Sequence, residues 1–428
     1  MGEYEITQEY DTLMMKKNAG WQRWLLISSI IRYWRMNMNH KILEQKFQKA
    51  IIALRRDFHA NPELSNQEER TSSVVCEELG KLGIPFVRLE NHCVVGILHG
   101  GRKDTHSRKI AIRADMDALP IMEETELPFK SRNEGVMHAC GHDGHTAMLL
   151  GACMMLRELQ ENLAGTVYFC FQSAEEVGGS AHILVDYLKS QGGVDRVIAS
   201  HLWADLKSGS ISVVEGARMA NGDFFSIEVT GKGGHGARPD LSIDPIKPLC
   251  QIVLNISAIP TNRVATIEPC VVHVGQIFGG TLANVFPQKA EINGGFRTFS
   301  SESREKVARL IRETAEHTAR AFGAAAIVKT KIGVPMVYNN KEAVALAQQI
   351  LAETKLFISD DFEPICASED FGSYLEAFPG FMCFIGMHNV KKGLVFTHHH
   401  PKFDIDEDVL AKGSVFFASY AEYYLNGR

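Results

Sequence analysis

Residues 137–176, MHACGHDGHTAMLLGACMMLRELQENLAGTVYFCFQSAEE, combine a predicted helix with a predicted buried strand. Residues 146–159 carry apolar side chains at helical spacing, and Asp143 and Gly144 stand where a helix N-cap belongs. Residues 166–172 form an apolar run that predicts a buried strand, and the polar run SAEE follows it. A helix followed by a buried strand with acidic residues at its end indicates an α/β protein.

The same alternation continues along the chain in both directions. Further strands are predicted at 94–100, 109–120, 196–201, near Pro364 and at 381–387, and further helices at 47–58, 66–82, 179–190, from Lys341, after 368–371 and from Glu407. This pattern predicts a largely parallel sheet covered by helices on both faces, with ligands bound outside the carboxyl ends of the strands. The polar residues that fall at such ends, and that we expect on one rim, are Asp115, Asp117, Glu175, Glu176 and His201.

The pattern changes between residues 219 and 333. Strands with alternating faces are predicted at 223–232, 265–277, 289–299 and 325–332, with helices at 245–259 and 301–323 between them. The resulting order, βαββαβ, is the ferredoxin-like arrangement. We therefore expect an inserted domain at 219–333, a catalytic domain formed by 46–218 and 334–428, and an N-terminal extension at 1–45.

The composition excludes several classes of protein. A chain of 428 residues is long enough for about two to three domains, and 45% hydrophobic with 22% charged residues is typical of a soluble globular protein. A net charge of −6 gives no reason to expect nucleic acid or an anionic membrane as a partner. Nine scattered cysteines, including Cys170, Cys250 and Cys383 in apolar runs, predict mostly buried reduced thiols and, without a cleavable leader, a cytoplasmic protein.

The apolar segment at residues 25–31 could be mistaken for a signal sequence. It is too short to span a bilayer, no small-residue cleavage site follows it, and Arg32 and Arg35 end it. We interpret it as a short amphipathic segment. The residues before Met36 or Met38 are expected to be dispensable for the folded protein, so a chain that begins near Met38 and loses solubility or activity would contradict this hypothesis.

Two pairs of residues indicate metal chemistry. Cys140 and His142 lie two residues apart at the predicted helix entrance, so in a loop both side chains can point toward one cation. A cysteine and histidines that merely lie in a surface loop are the alternative. Glu175 and Glu176 repel each other unless a positive charge lies beside them. With a metal there, one carboxylate can coordinate while the other takes a proton from activated water, although a solvated acidic turn is also compatible.

Two further histidine positions complete the set. His201 follows an apolar strand and could instead be satisfied within the core, and the histidines at 398–400 could form a solvated loop. Together, cysteine, histidine and glutamate from four regions fit a two-metal hydrolytic site better than a structural zinc site, whose ligands come as local pairs. The Cys140 thiolate is a suitable bridging ligand for such a site. Asp115 and Asp117 are best explained as groups that orient ligand imidazoles.

A series of segments, in this order, resembles one family. They are RRDFHANPEL, IRADMDALP, MHACGHDGH, SAEE, GKGGHGARP, GGTLANVFP, SEDF and HHPKFD. From about Phe47 to its C-terminus the chain resembles the metal-dependent amidohydrolases that include hippurate hydrolase, indole-acetyl-amino-acid hydrolase and N-acetyldiaminopimelate deacetylase, within the aminoacylase and carboxypeptidase G clan. The resemblance implies hydrolysis of an N-acyl amino acid to a carboxylate and a free amino acid.

The resemblance also implies roles for individual residues. Cys140 would bridge two divalent metal ions, Glu175 would be the general base, and the remaining ligands would be His142, Glu176, His201 and His399. His399 is preferred because it lies two residues before Pro401, as in the family's His-x-Pro-x-Phe, and His400 is the alternative. Manganese is the expected metal, with zinc, cobalt or nickel as alternatives.

The inserted block resembles the family's lid and dimerisation domain, which implies a homodimer or a dimer-based oligomer. Its His235 and Asn284 match positions that bind the substrate carboxylate or the oxyanion of the tetrahedral intermediate, sometimes from the neighbouring subunit. An amide transition state develops negative charge that such donors meet. A histidine in a glycine-rich turn is the alternative explanation for His235.

Two positions depart from the family pattern. Ser173 stands where the family usually has proline, and Val177 stands where it usually has glycine. The loop around the base and the acyl preference are therefore expected to differ. A di- or tripeptidase of the same clan is the alternative function, and a catalytically silent binding protein is a third, although it predicts the loss of a ligand or of Glu175, and none is missing.

Overall fold

A computed structural model describes residues 21–102 and 107–427 of the chain. Its helices are α1 Trp21–Ala60, α2 Glu69–Lys81, α3 His142–Glu158, α4 Ala181–Ser190, α5 Ile246–Ser257, α6 Ile259–Arg263, α7 Ser301–Ala321, α8 Lys341–Thr354, α9 Gly372–Ala377 and α10 Leu410–Leu425. Its longer strands are β2 Val94–His99, β3 Arg108–Asp115, β4 Gly165–Gln172, β5 Arg196–Lys207, β8 Asn221–Thr230, β10 Cys270–Gly279, β12 Lys289–Thr298, β13 Ala325–Val334 and β16 Gly380–His388. The shorter strands are β1 Phe86–Arg88, β6 Ser210–Ser212, β7 Gly216–Met219, β9 Gly234–His235, β11 Val285–Phe286, β14 Val337–Asn339 and β15 Ile358–Ser359.

The N-terminal region is one continuous helix from Trp21 to Ala60, which includes the helix predicted at 47–58. His40 and Leu43 of this helix are already buried, so it packs on the core before residue 46. Residues 1–20 of the predicted extension and the side chains of the predicted segment at 25–31 lie outside the described residues. Among the described helices, none combines the length and the apolar character that a membrane span needs.

The large sheet has the strand order β1-β2-β4-β3-β5-β16-β6-β15. Its central strands β4, β3, β5 and β16 run parallel to one another, while β2 and β6 flank them antiparallel. Parallel neighbours need crossover connections, and these place helices on the faces of the sheet. The prediction of a largely parallel sheet covered by helices on both faces is confirmed.

Adjacent residues of the central strands enter two different cores. Ile112 of β3 belongs to the core that contains Leu149 of α3 and Phe416 of α10. Its neighbour Ala111 belongs to the core on the opposite face, which contains Leu184 of α4. Because successive side chains of a strand point to opposite faces, a strand covered on both sides carries apolar residues on both faces, as residues 110–112 of β3 do.

The small sheet has the order β10-β12-β8-β13 and is antiparallel throughout. Ile227 of β8 packs with Ile252 of α5 and Leu310 of α7 in a core of its own. The side chain of Ser300 caps α7 by accepting a hydrogen bond from the Ser303 amide at 3.1 Å, as its position before the helix predicts. Chain order βαββαβ with this spatial order is the ferredoxin-like topology.

The start of α3 differs from the prediction. The helix begins at His142 rather than after His145, and its N-cap position is Gly141, whose φ of 92° lies in the left-handed region that glycine adopts without strain. Asp143 therefore lies in the first turn and does not cap the helix. Its carboxylate instead accepts a hydrogen bond from Arg55 Nε at 2.9 Å.

Three strand predictions are wrong in extent. β3 ends at Asp115 rather than near Pro120, and β5 continues through His201 to Lys207. Residues 360–364 are not in a strand, and Ile365 makes only a single bridge, to Met219, among the described residues. The burial predicted for Cys170 and Cys383 is confirmed, whereas Cys250 is exposed on α5 because it lies on the side of that helix that faces away from the small sheet's core.

Candidate metal centre and active site

The carboxyl end of β3 and the first turn of α3 meet at one edge of the large sheet. β3 ends at Asp115, and α3 begins at His142. In the parallel strand β5, Ala199 pairs with Arg113, so His201, two residues further along, lies level with Asp115. The predicted rim of polar residues therefore forms, although His201 reaches it from within its strand.

A first group of possible metal donors consists of Cys140, His142 and His201, whose donor atoms lie within 4.8 Å of one another. The Cys140 Sγ and His201 Nε2 atoms are 3.6 Å apart. The Nδ1 atom of His142 lies 2.9 Å from the Asp117 carbonyl oxygen, and that of His201 lies 2.7 Å from the Leu202 carbonyl oxygen. A carbonyl oxygen accepts a hydrogen bond from a ring N–H, so these contacts assign the proton of each neutral ring to Nδ1 and leave the lone pair of Nε2 available to a cation.

A second group consists of Cys140, Glu176 and His399, again within 4.8 Å of one another. The Glu176 Oε1 and His399 Nε2 atoms are 3.4 Å apart. The His399 backbone amide donates to the Ala139 carbonyl oxygen at 2.8 Å, which ties the C-terminal loop to the loop that carries the thiol. Cys140 is the residue that the two groups share.

The neighbours of His399 have other contacts. His398 Nε2 lies 2.8 Å from the Leu202 carbonyl oxygen. The His400 ring stacks on Phe396 with 4.5 Å between ring centroids, and its Nδ1 accepts a hydrogen bond from the Lys402 amide. Of the histidines at 398–400, His399 is therefore the one that lies beside Glu176.

Two donor atoms are buried without a hydrogen-bond partner among the described residues, namely His142 Nε2 and Glu176 Oε1. Each unpaired buried polar atom costs about 1–3 kcal/mol, so such atoms indicate a missing partner. Burial lowers the pKa of His201 well below its usual value and keeps its ring neutral, as a ligand must be. Thiolate, imidazole and carboxylate together suit borderline divalent cations, so these residues fit two such ions.

A second layer of contacts supports these donors. His145 Nδ1 lies 2.6 Å from Asp115 Oδ1, and its Nε2 accepts a hydrogen bond from the Leu202 amide at 2.8 Å. Burial alone would raise the pKa of Asp115, but its neighbours hold that pKa well below the usual range. These neighbours are His142, Arg113 and His145. Asp115 therefore orients His145, while Asp117 is the carboxylate that hydrogen-bonds a predicted ligand, His142, at 3.2 Å.

Glu175 lies among other carboxylates. Its oxygen is within 4.8 Å of oxygens from Glu369 and Asp370. Desolvation raises the pKa of Glu175 well above its usual value, and the negative charges of Glu369 and Asp370 raise it further. Arg113 balances part of this charge by donating to both of those carboxylates at 2.9 Å. A carboxylate with a raised pKa is suited to accept a proton near neutral pH.

A cleft of about 590 Å³ opens beside these residues and is lined by both the large and the small sheet regions. Glu175, Glu176 and His399 line one side of it. The opposite wall comes from β8, β12 and β13 and includes Phe224, Arg297, Lys331 and Ile332. A concave site with a few converging polar groups between two structural units is the usual form of a small-molecule site.

Residues 111–423 match the model of peptidase family M20/M25/M40. The chain belongs to this family. It is 38% identical to thermostable carboxypeptidase 2 of Saccharolobus solfataricus over 382 residues, and this alignment covers 88% of this chain and 95% of that protein. It is 37% identical over 383 residues to N-acetylcysteine deacetylase of Bacillus subtilis, which covers 88% and 97%.

A solved structure supports the same relationship. A dinuclear metal-binding peptidase of the M20 family from Bacillus subtilis matches this chain with a TM-score of 0.79 at 35% identity, covering 89% of this chain and 99% of that one. The family resemblance, the fold and the prediction of an enzyme are thus confirmed. The chain is a hydrolase of the M20/M25/M40 family.

His235 and Asn284 lie apart from the donor groups. They belong to a ribbon of two short strands in which His235 pairs with Val285, and the Gly236 amide donates to the Asn284 carbonyl oxygen at 2.8 Å. Both side chains are exposed, and neither lines the cleft formed by the described residues of this M20/M25/M40 chain.

Four residues with no predicted role also lie at the site. They are Arg113, His145, Glu369 and Asp370. His145 lies three residues after His142, which is one helical turn, so the two face the same side of α3. Arg113 lies in the segment IRADMDALP, and Glu369 and Asp370 lie in SEDF. The two adjacent acids need a positive charge nearby, and this need was the signal that could have indicated their pairing with Arg113.

Proposed function

We propose that this M20/M25/M40 hydrolase is a dinuclear metal-dependent amidohydrolase that releases free amino acids from N-acyl amino acids. The observation that carries the proposal is the sharing of Cys140 by two donor groups, beside the carboxylate of Glu175. The similarity to N-acetylcysteine deacetylase supports an N-acyl amino acid as the substrate.

In the proposed centre, one divalent ion would be held by His142 and His201 and the other by Glu176 and His399, and Cys140, which belongs to both groups, would serve both ions. Manganese is the proposed metal, with zinc, cobalt and nickel as alternatives that such ligands also accept. The bound ions supply Lewis-acid polarisation of the scissile carbonyl and lower the pKa of water to about 7.

The proposed general base is Glu175. It takes a proton from the attacking water as the new carbon–oxygen bond forms, and it returns that proton to the amide nitrogen as the carbon–nitrogen bond breaks. The products are a carboxylate and a free amine. The crowding of Glu175 by Glu369 and Asp370 raises its pKa and so favours its role as a proton acceptor and then donor.

The cleft wall opposite Glu175 offers both apolar and positive groups for such a substrate. Phe224 and Ile332 on that wall are 48% and 61% exposed, and Val177, which lies on the loop of Glu175 and also lines the cleft, is 62% exposed. Arg297 and Lys331 lie on the same wall and bring positive charge for a carboxylate. We infer a substrate with an apolar or aromatic acyl group and a free carboxylate, and Val177 is the apolar residue that replaces the family's usual glycine.

We further propose that the small sheet forms a homodimer and that His235 and Asn284 serve the partner's site. Two observations support this. β10 is an edge strand of the small sheet with the exposed apolar residues Ile277 and Phe278, and such an edge is a template for pairing with another chain. The positions of His235 and Asn284 outside the chain's own cleft leave their oxyanion role to a neighbouring copy.

A cytoplasmic location is part of the proposal. The cysteines of the described residues are all free thiols, including the exposed Cys250 and Cys366. Free exposed thiols persist in reducing compartments and are rare in secreted proteins.

The test is an activity screen of metal-reconstituted protein against acetyl, benzoyl, succinyl and indole-acetyl amino acids. We expect release of the free amino acid, faster with benzoyl and indole-acetyl than with acetyl or succinyl groups because of the apolar wall. Glu175→Gln is the control and is expected to lower kcat by about 100-fold or more while the protein still binds metal. No turnover of any N-acyl amino acid with any of the four metals would refute the proposed function.

A peptidase is the second candidate, because the chain is similar to a protein named thermostable carboxypeptidase 2. The same site would then cleave a peptide bond next to a free carboxylate. Free dipeptides and tripeptides belong in the same screen. Turnover of these peptides at rates above those of every N-acyl amino acid would favour the peptidase.

A further inference from the structure

The loop that carries Glu175 has an unusual backbone conformation. Ala174 has a φ of 55°, in the left-handed region that residues with a Cβ rarely adopt. The loop closes on itself through hydrogen bonds from the Gly178 amide to the Glu175 carbonyl oxygen and from the Gly179 amide to the Ala174 carbonyl oxygen, at 2.8 and 2.9 Å. A strained residue directly before a proposed catalytic group persists only where surrounding contacts hold it.

Two buried carboxylates hold the residues on either side of Glu175. The Ala174 amide donates to Glu68 Oε1 at 2.7 Å, and the Glu176 amide donates to Asp117 Oδ2 at 3.0 Å. Asp117 also contacts His142, so its burial is accounted for by its contact with a proposed metal ligand. Glu68 contacts none of the residues of the proposed metal centre through the hydrogen bonds of the described residues.

Burying the carboxylate of Glu68 in this position costs free energy. It has no exposed surface, and its Oε2 atom has no hydrogen-bond partner among the described residues. Desolvation raises its pKa to about 7, against the effect of the Ala174 amide. Glu68 occupies the N-cap position of α2, but its side chain does not cap that helix. The backbone amides of Asn66 and of Glu68 itself also stabilise this carboxylate, but its contact with Ala174 is the one that joins the start of α2 to the loop before Glu175.

We propose that Glu68 is a positioning residue for the general base. By accepting a hydrogen bond from the Ala174 amide, it fixes the strained loop that directs Glu175 into the cleft. The inference rests on the proposed role of Glu175 as the base. Glu68 itself touches neither the substrate nor the proposed metal ligands. Glu68 is 107 positions away from Glu175 in the chain, and its hydrogen bond with the Ala174 amide brings the start of α2 next to the loop of the base.

The test compares three variants of the metal-loaded protein. Glu68→Met keeps the size of the side chain and removes the acceptor, whereas Glu68→Gln keeps a carbonyl oxygen that can accept the same amide. Glu69→Met is the matched control, because Glu69 is the exposed neighbour of Glu68 on α2. We expect Glu68→Met to lower kcat by about 10- to 100-fold with little change in KM, and Glu68→Gln and Glu69→Met to stay close to the original protein.

Two further measurements separate positioning from a purely structural role. Exchange of the Ala174 amide hydrogen with solvent is expected to be faster in Glu68→Met and unchanged in Glu69→Met, whether or not a substrate is turned over. In the Ala174→Gly background, where the left-handed conformation has no steric cost, Glu68→Met is expected to lower kcat less.

The outcomes distinguish this inference from the proposed function. If the original protein turns over no N-acyl amino acid, the proposed function fails, and amide exchange alone decides whether Glu68 holds the loop. If the original protein is active and Glu68→Met keeps its kcat, or raises KM as much as it lowers kcat, the positioning role is wrong. Unchanged exchange at Ala174 overturns it in either case.

Discussion

Arg55 is fully buried behind the loop of the proposed metal centre. It donates to Asp143 at 2.9 Å and to Asp404 at 2.7 Å, and it lies 3.3 Å from Glu407. Asp143 follows the proposed ligand His142 directly, so this buried pair links the start of α3 to the C-terminal loop. Burial costs both charges their hydration, and only their mutual pairing offsets that cost.

We therefore predict that Arg55→Met lowers the free energy of unfolding by about 3–5 kcal/mol, because it removes the guanidinium that balances the buried charge of Asp143 and leaves that carboxylate with His59 as its partner. Arg56→Met is the matched control. The Arg56 side chain is 47% exposed and pairs with Glu407, so its loss is expected to cost less than about 1 kcal/mol. Urea denaturation at neutral pH measures both. If the two variants lose similar amounts of unfolding free energy, the buried Arg55 pair contributes no more to stability than the exposed Arg56 pair.

The proposed metal donors follow from single residue types in the sequence, whereas the residues that support them do not. Cys140, His142 and Glu176 are residue types that bind metals, and their spacing in the sequence indicates a metal site. Arg113 is a residue type with no such signature. Its role depends on Glu369, which is 256 positions away in the chain, and only the folded sheet brings them to within 2.9 Å.

At the scale of elements, α1 is attached to α10 by a buried histidine. Ser419 Oγ lies 3.0 Å from His40 Nε2, and His40 Nδ1 has no partner among the described residues. Desolvation lowers the pKa of His40 from 6.5 to about 4. Burial therefore favours the neutral ring, and the unfolded chain binds the proton more readily.

The sign of the pH dependence follows. Above about pH 6.5 both states are neutral and the contribution of His40 is fully present, and it is lost as the pH falls from 6.5 toward 4. The loss is on the order of 3 kcal/mol. We predict that His40→Gln, which can keep the contact with Ser419 and does not titrate, loses less stability between pH 7.5 and 4.5. Urea unfolding at the two pH values measures this, with the exposed His99→Gln as control, and an equal loss in all three proteins would contradict it.

The elements themselves were predictable where one period dominates. The strands and helices of the small sheet alternate clearly, and their order gave the ferredoxin-like topology correctly. The errors lie where tertiary contacts override local signals. β5 runs past His201 because β16 pairs with it from Gly380 to His388, and α3 starts early because Gly141 supplies the left-handed turn. The pairing of β16 with β5 is not visible in the local sequence, whereas Gly141 stands directly before His142 and could have marked the helix start.

At the scale of the whole molecule, the cleft is formed by two units with separate cores. The proposed base and ligands come from the large sheet, and the facing wall comes from the small sheet. The sequence predicted a largely parallel sheet and the βαββαβ order of the small sheet's unit, but the composition of the cleft wall depends on how the two units pack. The same reasoning extends to a second copy of the chain, because His235 and Asn284 have no place in the cleft of their own subunit.

Mixing two inactive variants tests whether the site is shared between subunits. Glu175→Gln removes the proposed base, and His235→Ala removes the proposed donor to the partner's site. In a mixed dimer, one of the two sites combines an intact Glu175 with an intact His235 from the other chain. Refolding equal amounts together makes about half of the dimers mixed when the chains pair at random. About one quarter of full activity is therefore expected to return.

The control for this experiment pairs Glu175→Gln with His399→Ala. Both residues line the cleft of the same chain, so every site in a mixed dimer carries one defect and no activity is expected to return. Product release after refolding, with dimer content measured by light scattering, gives the readout. If the His235→Ala mixture recovers nothing although mixed dimers form, or if the His399→Ala mixture recovers as much, then His235 does not serve the neighbouring site, and its role must lie within its own subunit after movement of the small sheet.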